Sequence, residues 1–377
     1  MRIAIDARKY LDFGIGTYIR NLVRELARID RDTEYVLLCR EADREAIATS
    51  LPENFRPVVE NAPPYSVREQ IRIPIALRRE RVDLFHAPHY VLPPLIHCRS
   101  VVTIHDIIHL LFPQYLPNRL AYAYARASLW AAAHRSDRIL TVSETSKLDI
   151  LRRFRVPADK ITVVYNAIDD RLLTTPDADA FERVRARYQL DGRFALYVGN
   201  IKPHKNLERL IEAFDRLRHE PGFEGLRLLI IGDQISKYQA LRRAVHRHKL
   251  HKQVRFFGFV PLETLAVLYR LASVFVFPSL YEGFGLPPVE AMACGLPVVT
   301  SNVSSLPEVV GDGAILVDPY SPDSIAEGMR AALSDEDLRA TLRERGLARA
   351  REFSWERSVA RTREVYDEVM AQAPYEA

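Results

Sequence analysis

The sequence predicts an α/β chain built as two doubly wound, parallel-sheet, Rossmann-like domains. Three observations carry that prediction. Short apolar runs of strand length alternate with longer amphipathic segments along nearly the whole chain. The alternation begins a second time near residue 194. The length of 377 residues exceeds one ordinary core and suits two. Strands separated by helices give parallel sheets covered on both faces.

In the first half, residues 3–5 read as a strand. Residues 16–29 read as a helix with Ile19, Leu22, Val23 and Leu26 on one face. Strands follow at 35–39, 84–86, 100–104 and 138–142, with a long Ala- and Arg-rich helix at 118–135. The second half repeats the plan, with strands at 194–198, 227–231, 254–257, 274–277, 298–301 and 315–317 and helices at 207–217 and 238–249. Between the halves, residues 169–188 are polar and contain Thr174, Thr175, Pro176 and Asp177, which predicts a linker. From about Asp323 the chain is helical and charged. Ser354 suits the N-cap of a last helix carrying Val359, Val365, Tyr366 and Val369.

Composition excludes several classes. The net charge is only +4, from 53 basic and 49 acidic side chains, so a dedicated nucleic-acid binder is not expected. Cys39, Cys98 and Cys294 lack disulfide or zinc spacing and are expected as buried thiols. No run reaches the roughly 20 apolar residues of a membrane span, and the start turns polar too soon for a signal peptide. The expectation is a cytoplasmic protein. The Arg-rich stretch at 118–138 reads either as an ordinary packed helix or, through its arginines with Tyr122, Tyr124, Leu129 and Trp130, as a peripheral contact with the inner face of the plasma membrane.

Ligands of such folds bind beyond the carboxyl ends of strands, so the loops there are where chemistry is sought. The most informative is PSLYEGFGLPPVEAMACGLP over 278–297. Gly283 and Gly285 permit close backbone approach, Pro287 and Pro288 suit a first helical turn, and Gly295 suits its end. Free amides and the helix dipole would favour a diphosphate. Glu282 is placed before the helix and Glu290 in its first turn, where it either complements the dipole or binds vicinal hydroxyls. In YVGNIKPHKN over 197–206, Lys202 and Lys205 offer compact cations for phosphate oxygens. In VVTIHDIIH over 101–109, His105 and Asp106 end an apolar strand. In DFGIGTY over 12–18, Gly14 and Gly16 form a short glycine loop after the first strand. The D-x-D pairs at Asp177/Asp179 and Asp335/Asp337 lie away from strand ends and read as solvated acids.

With Glu282 and Glu290 spaced as E-x7-E inside EGFGLPPVE, the chain resembles the retaining glycosyltransferases of family 4, and the likeness spans almost its whole length. The resemblance implies the GT-B fold, two Rossmann-like domains facing a cleft. It implies an acceptor-binding domain over 1–170, a nucleotide-sugar domain over 171–355, and a last helix, about 356–377, returning to the first domain. It further implies Glu290 on the ribose, the diphosphate at Gly283, Gly285 and Lys205, the sugar at Glu282 and His105, and Phe284, Leu286 and Asn200 among the donor-binding residues. Gly258, Phe259 and Val260 would read the nucleobase through their backbone. Gly14, Gly16 and Asp106 fall on the acceptor side, with Gly16 also near the donor phosphate. Asn200 stands where the family often has an arginine, leaving Lys202 or His204 to supply that charge. No metal and no cofactor is implied beyond the nucleotide sugar as co-substrate. The segments at 199–205 and 103–107 look most like bacterial mannosyltransferases of surface polysaccharide synthesis. That implies GDP-mannose as donor and a saccharide as acceptor, which in such systems is usually a lipid-linked oligosaccharide. UDP- or TDP-sugar donors, an epimerase of the same fold and a non-catalytic binder are the other readings.

Overall fold

The structure is a computed structural model that describes residues 1–12, 14–232 and 238–372. It divides into two compact units. Unit 1 is Met1–Asn166 with Ser354–Ala377, and unit 2 is Ala167–Phe353.

Unit 1 runs β1 (Arg2–Asp6), α1 (Ile15–Ile29), β2 (Glu34–Cys39), α2 (Arg44–Ser50), β3 (Phe55–Val59), α3 (Glu69–Arg79), β4 (Leu84–Ala87), β5 (Arg99–Thr103), α4 (Ile108–Leu111), α5 (Arg119–Arg135), β6 (Arg138–Thr141), α6 (Glu144–Phe154) and β7 (Ile161–Val163). Its seven strands lie in the order β3-β2-β1-β4-β5-β6-β7 and every pairing is parallel. Unit 2 runs α7 (Ala178–Tyr188), β8 (Phe194–Val198), α8 (Leu207–Arg218), β9 (Arg227–Ile231), α9 (Gln239–Arg247), β10 (Val254–Phe257), α10 (Leu262–Leu271), β11 (Val274–Phe277), α11 (Leu286–Ala293), β12 (Val298–Ser301), α12 (Leu306–Val310), β13 (Ala314–Val317), α13 (Pro322–Ser334) and α14 (Glu336–Ala350). Its six strands lie in the order β10-β9-β8-β11-β12-β13, again all parallel. The last helix, α15 (Trp355–Met370), belongs to unit 1; the remainder of the expected span, 373–377, lies outside the described residues.

The central strands are buried on both faces, as parallel sheets require: β11 is Val-Phe-Val-Phe, and none of the four is exposed. In each sheet the strand order reverses once, between β1 and β4 and between β8 and β11. A crevice opens at such a point, outside the carboxyl ends of the two strands. All three cysteines are buried.

The expected linker at 169–188 is corrected. Its second half is α7, with Val184 and Tyr188 buried. Asp177, read as a solvated acid, accepts a hydrogen bond from Ala180 N and caps that helix; Asp335 likewise accepts from Leu338 N and caps α14. A Pro-Asp pair ahead of an amphipathic stretch signals a helix start as well as a loop. Ser354 caps α15 as read, accepting from Arg357 N, and Val359, Val365, Tyr366 and Val369 are buried.

Candidate active site

In unit 2 the loops that follow β8 and β11 flank the reversal of strand order and meet there. Lys205 Nζ donates to Glu282 Oε1 at 2.6 Å, and the two side chains are only 14% and 12% exposed. The ammonium also lies 5.2 Å from the centroid of the Phe277 ring. The sequence reading gives Lys205 to phosphate and Glu282 to sugar; the structure pairs them with each other.

Backbone geometry explains the precision of this meeting. Asn206 takes a left-handed conformation at φ 62°, and its side-chain amide donates to Pro278 O and Pro319 O at 3.0 and 2.6 Å. Leu280 N donates to His204 O at 2.8 Å. Ser304 Oγ donates to Glu282 O at 2.6 Å and accepts from Glu282 N at 3.1 Å. Ser305 Oγ lies 3.0 Å from the carbonyls of Glu282 and Phe284. Gly285, the residue before α11, has φ 98°, and a Cβ there would stand 2.6 Å from Leu306 Cδ2. Only glycine fits.

Several assigned residues take more specific places. Because α11 begins at Leu286, Glu290 sits on its second turn, which corrects the first-turn reading and weakens a purely dipolar role. Glu290 is half-buried and accepts a hydrogen bond from Tyr269 OH at 2.9 Å. Burial pushes its pKa up; the Tyr269 bond opposes that and Asp169 adds to it. The Phe284 ring is buried edge-on against Phe353, at 5.3 Å, so only its backbone can serve a ligand. Leu286 is half-buried. Gly283 is buried within the loop. After β10, Gly258 and Phe259 are exposed while Val260 is buried. Asn200 and Lys202 are exposed, whereas His204 is buried in the wall.

In unit 1 the carboxyl ends of β1, β4 and β5 gather a second group. Gly14 precedes α1, and Gly16 in its first turn presses on the preceding loop: a Cβ would lie 2.6 Å from Lys9 O. His105 Nε2 donates to Pro88 O at 3.0 Å, and the ring meets Tyr18 edge-on at 4.9 Å. A carbonyl only accepts, so Nε2 carries the proton. Burial pushes the His105 pKa down, so the ring is neutral near pH 7 and Nδ1 holds an open lone pair. Asp106 Oδ1 accepts from Ile108 N at 2.9 Å, which gives it a part in shaping its own loop.

Sequence reasoning missed the neighbours of these residues. His89, just past β4, is 5% exposed, and its Nδ1 has no hydrogen-bond partner among the described residues. Burial pushes its pKa down to about 3. Tyr65 faces the His89 ring at 5.2 Å and accepts from Lys9 Nζ at 2.8 Å. Beneath them Arg8, 2% exposed, forks onto Asp6 at 2.8 and 2.7 Å and reaches Glu69 at 2.9 Å. Burial would raise the Asp6 pKa; the Arg8 fork overrides it and holds the carboxylate ionised. His86 bridges Tyr366 OH on α15 and Thr103 Oγ1, at 2.6 and 2.8 Å. Thr103 in turn meets Tyr18 OH at 3.2 Å, beside His105. For Arg8, His86, His89 and Thr103 the one signal in the sequence is position, at or just beyond strand ends.

Two family models fit the chain: one described as Glycosyltransferase Family 4 matches residues 14–172, and one described as Glycosyl transferases group 1 matches residues 180–349. The chain is also 35% identical to the O-antigen chain mannosyltransferase B of Escherichia coli, an alignment that covers 96% of this chain and 98% of that protein. The chain belongs to glycosyltransferase family 4. Among solved structures, this glycosyltransferase matches sucrose-phosphate synthase from Thermosynechococcus elongatus with a TM-score of 0.78 at 23% identity, over 99% of this chain and 100% of that one. It matches Anabaena Alr3699/HepE in complex with UDP-glucose with a TM-score of 0.78 at 18% identity, over 98% and 100% of the chains. At those identities the likeness bears on the fold, which is GT-B. Among the described residues of the glycosyltransferase, no helix is long and apolar enough to cross a membrane.

Proposed function

We propose that this glycosyltransferase transfers mannose from GDP-mannose, with retention, to a lipid-linked saccharide in the synthesis of a bacterial surface polysaccharide. The observation that carries the nucleotide-sugar reading is the Lys205–Glu282 pair, held beside the start of α11. A cation, a carboxylate and a helix N-terminus in one crevice match a diphosphate joined to a polyhydroxylated ring. The choice of mannose rests on the near-full-length likeness to the O-antigen enzyme.

On this reading the amides of Gly283, Phe284 and Gly285 hold the diphosphate, and Lys205 turns to it from Glu282. Glu282 is then released to sugar hydroxyls, and Glu290 takes the ribose. Neutral His105 accepts a hydrogen bond from a sugar hydroxyl at Nδ1. The acceptor lies near Gly14, Gly16 and Asp106. Retention follows if the acceptor attacks the face that the diphosphate leaves, with the departing phosphate taking the acceptor proton. Rate enhancement comes mainly from positioning and from stabilising the leaving charge. Metal-free binding is part of the same proposal. So is a peripheral membrane contact, which the exposed Leu120 and Trp130 on α5, among Arg119, Arg126 and Arg135, support, while Leu129 is buried in the core and takes no part in it.

Thermal unfolding with GDP-mannose, GDP, UDP-sugars and TDP-sugars, in EDTA, tests the donor. Ligand at 100 times its Kd adds about 2.7 kcal/mol, a clear rise in Tm. A rise with GDP-mannose and GDP is the expected result. A rise confined to uridine compounds replaces mannose with the second reading, which the UDP-glucose complex of Alr3699/HepE favours. Loss of the rise in EDTA removes the metal-free proposal.

A further inference from the structure

We propose that unit 2 carries a second small-molecule site, an arginine-lined pocket that takes a phosphorylated metabolite and is separate from the donor loops. The cavity measures about 580 Å³, within the range of small-molecule sites. Ala272 and Ser273, just before β11, and Leu296 and Pro297, just before β12, form its floor. It therefore opens at the amino ends of strands whose carboxyl ends carry the donor loops. A four-residue strand, about 13 Å long at ~3.3 Å per residue, separates the pocket from the loop after β11, while Tyr269, which lines the pocket, is the residue that donates to Glu290.

Three guanidinium groups line it: Arg270 from the last turn of α10, and Arg339 and Arg343 one turn apart on α14. None has a carboxylate within ion-pair distance among the described residues. The Arg270 guanidinium is held by Ala266 O at 3.0 Å, Leu172 O at 2.7 Å and Cys294 Sγ at 3.2 Å, which fixes its direction and leaves its charge uncancelled. Arg339 Nε is buried and has no hydrogen-bond partner among the described residues. Arg343 packs against Gly295, its Nε 3.1 Å from where a Cβ would stand. Glu336, exposed at the start of α14, is the one carboxylate among the described lining residues.

A buried donor without a partner carries a desolvation cost that a ligand oxygen would remove. Planar guanidinium forks match phosphate oxygens in pairs. Phe181, together with Leu296 and Pro297 of the floor, makes part of the lining apolar, which suits a phosphate borne on a carbon skeleton better than the bare ion. A sugar phosphate and a nucleotide share that chemistry.

Equilibrium titrations of the full chain at constant ionic strength test the site, with inorganic phosphate, a hexose 6-phosphate and a nucleoside 5′-monophosphate as probes. The expected result is saturable binding of an organic phosphate that weakens at least tenfold in the double variant Arg339→Gln/Arg343→Gln and is unchanged in Lys205→Ala. The tighter organic probe then identifies sugar phosphate or nucleotide. Binding lost in Lys205→Ala and kept in the arginine variant assigns it to the donor loops and overturns the proposal. So does the absence of binding by all three probes at millimolar concentration. Arg339→Lys/Arg343→Lys, which keeps the charge and shows the wild-type circular dichroism, should retain partial binding, and wild-type affinity in a folded Arg339→Gln/Arg343→Gln variant would overturn the ligand role. Because the pocket lies outside the donor loops, a negative result leaves the transferase reading standing.

Discussion

At the scale of single residues, Lys205 and Glu282 each satisfy the other, so removing one strands its partner in a crevice with little solvent. Lys205→Ala should lower kcat by on the order of 10²-fold or more, as loss of a group that stabilises developing charge does. The same change should lower folding stability by about 1–3 kcal/mol, because a mostly buried carboxylate is left unpaired. Adding Glu282→Gln should restore much of that stability and none of the activity. Urea unfolding and steady-state rates on the single and double variants separate the two effects; full stability in Lys205→Ala would mean that the pair carries no structural weight. Gly285→Ala should cost about 1–3 kcal/mol, since it combines strain at positive φ with a collision against Leu306. A melting curve matching the wild type would show that the turn can relax.

At the scale of elements, the loops act through what braces them. Asn206 joins the loop after β8 to the loops after β11 and β13, so Asn206→Ala should weaken donor binding several-fold with little change in bound-state rate. A rise in KM with constant kcat checks this. Asp177→Ala should cost unit 2 about 1 kcal/mol, the usual worth of an N-cap. The strands that sequence reading located include the central ones, whose continuous apolar runs follow from burial on both faces, and the two edge strands of the second sheet, β10 and β13, whose runs are also largely apolar. β3 and β7, also edge strands, escaped because one carries Pro57 and an exposed Arg56 and the other is only three residues long. α7 escaped because its cap resembles a turn. In the site, Glu282, Glu290 and Lys205 were legible from glycine-rich context, whereas Ser304, Ser305, Asn206 and His89 were not. Those four act through contacts made by neighbouring strands, and only sheet order brings them together.

At the scale of the whole molecule, buried histidines set the acid limit of stability. Burial holds His86 and His89 near pKa 3 against an ordinary 6.5. The unfolded chain takes up their protons below about pH 6.5 and the folded chain does not, so stability is full above that pH and falls as pH drops toward 3. Each group contributes a slope of up to about 1.4 kcal/mol per pH unit. Unfolding measured at pH 7, 6 and 5 should show this decline, and His89→Asn should make it shallower; an unchanged slope would place His89 in contact with water. The division of the chain has a consequence for how the protein is made. Unit 2 is continuous, but unit 1 leaves at Asn166 and resumes at Ser354. A ribosome finishes unit 2 before α15 has been synthesised. The unit begun first is therefore completed last, and the surface that Trp355, Val359, Val365, Tyr366 and Val369 will cover stays open through most of translation. A nascent chain halted before residue 354 should display that apolar strip to chaperones and proteases, and release of the final helix should close it.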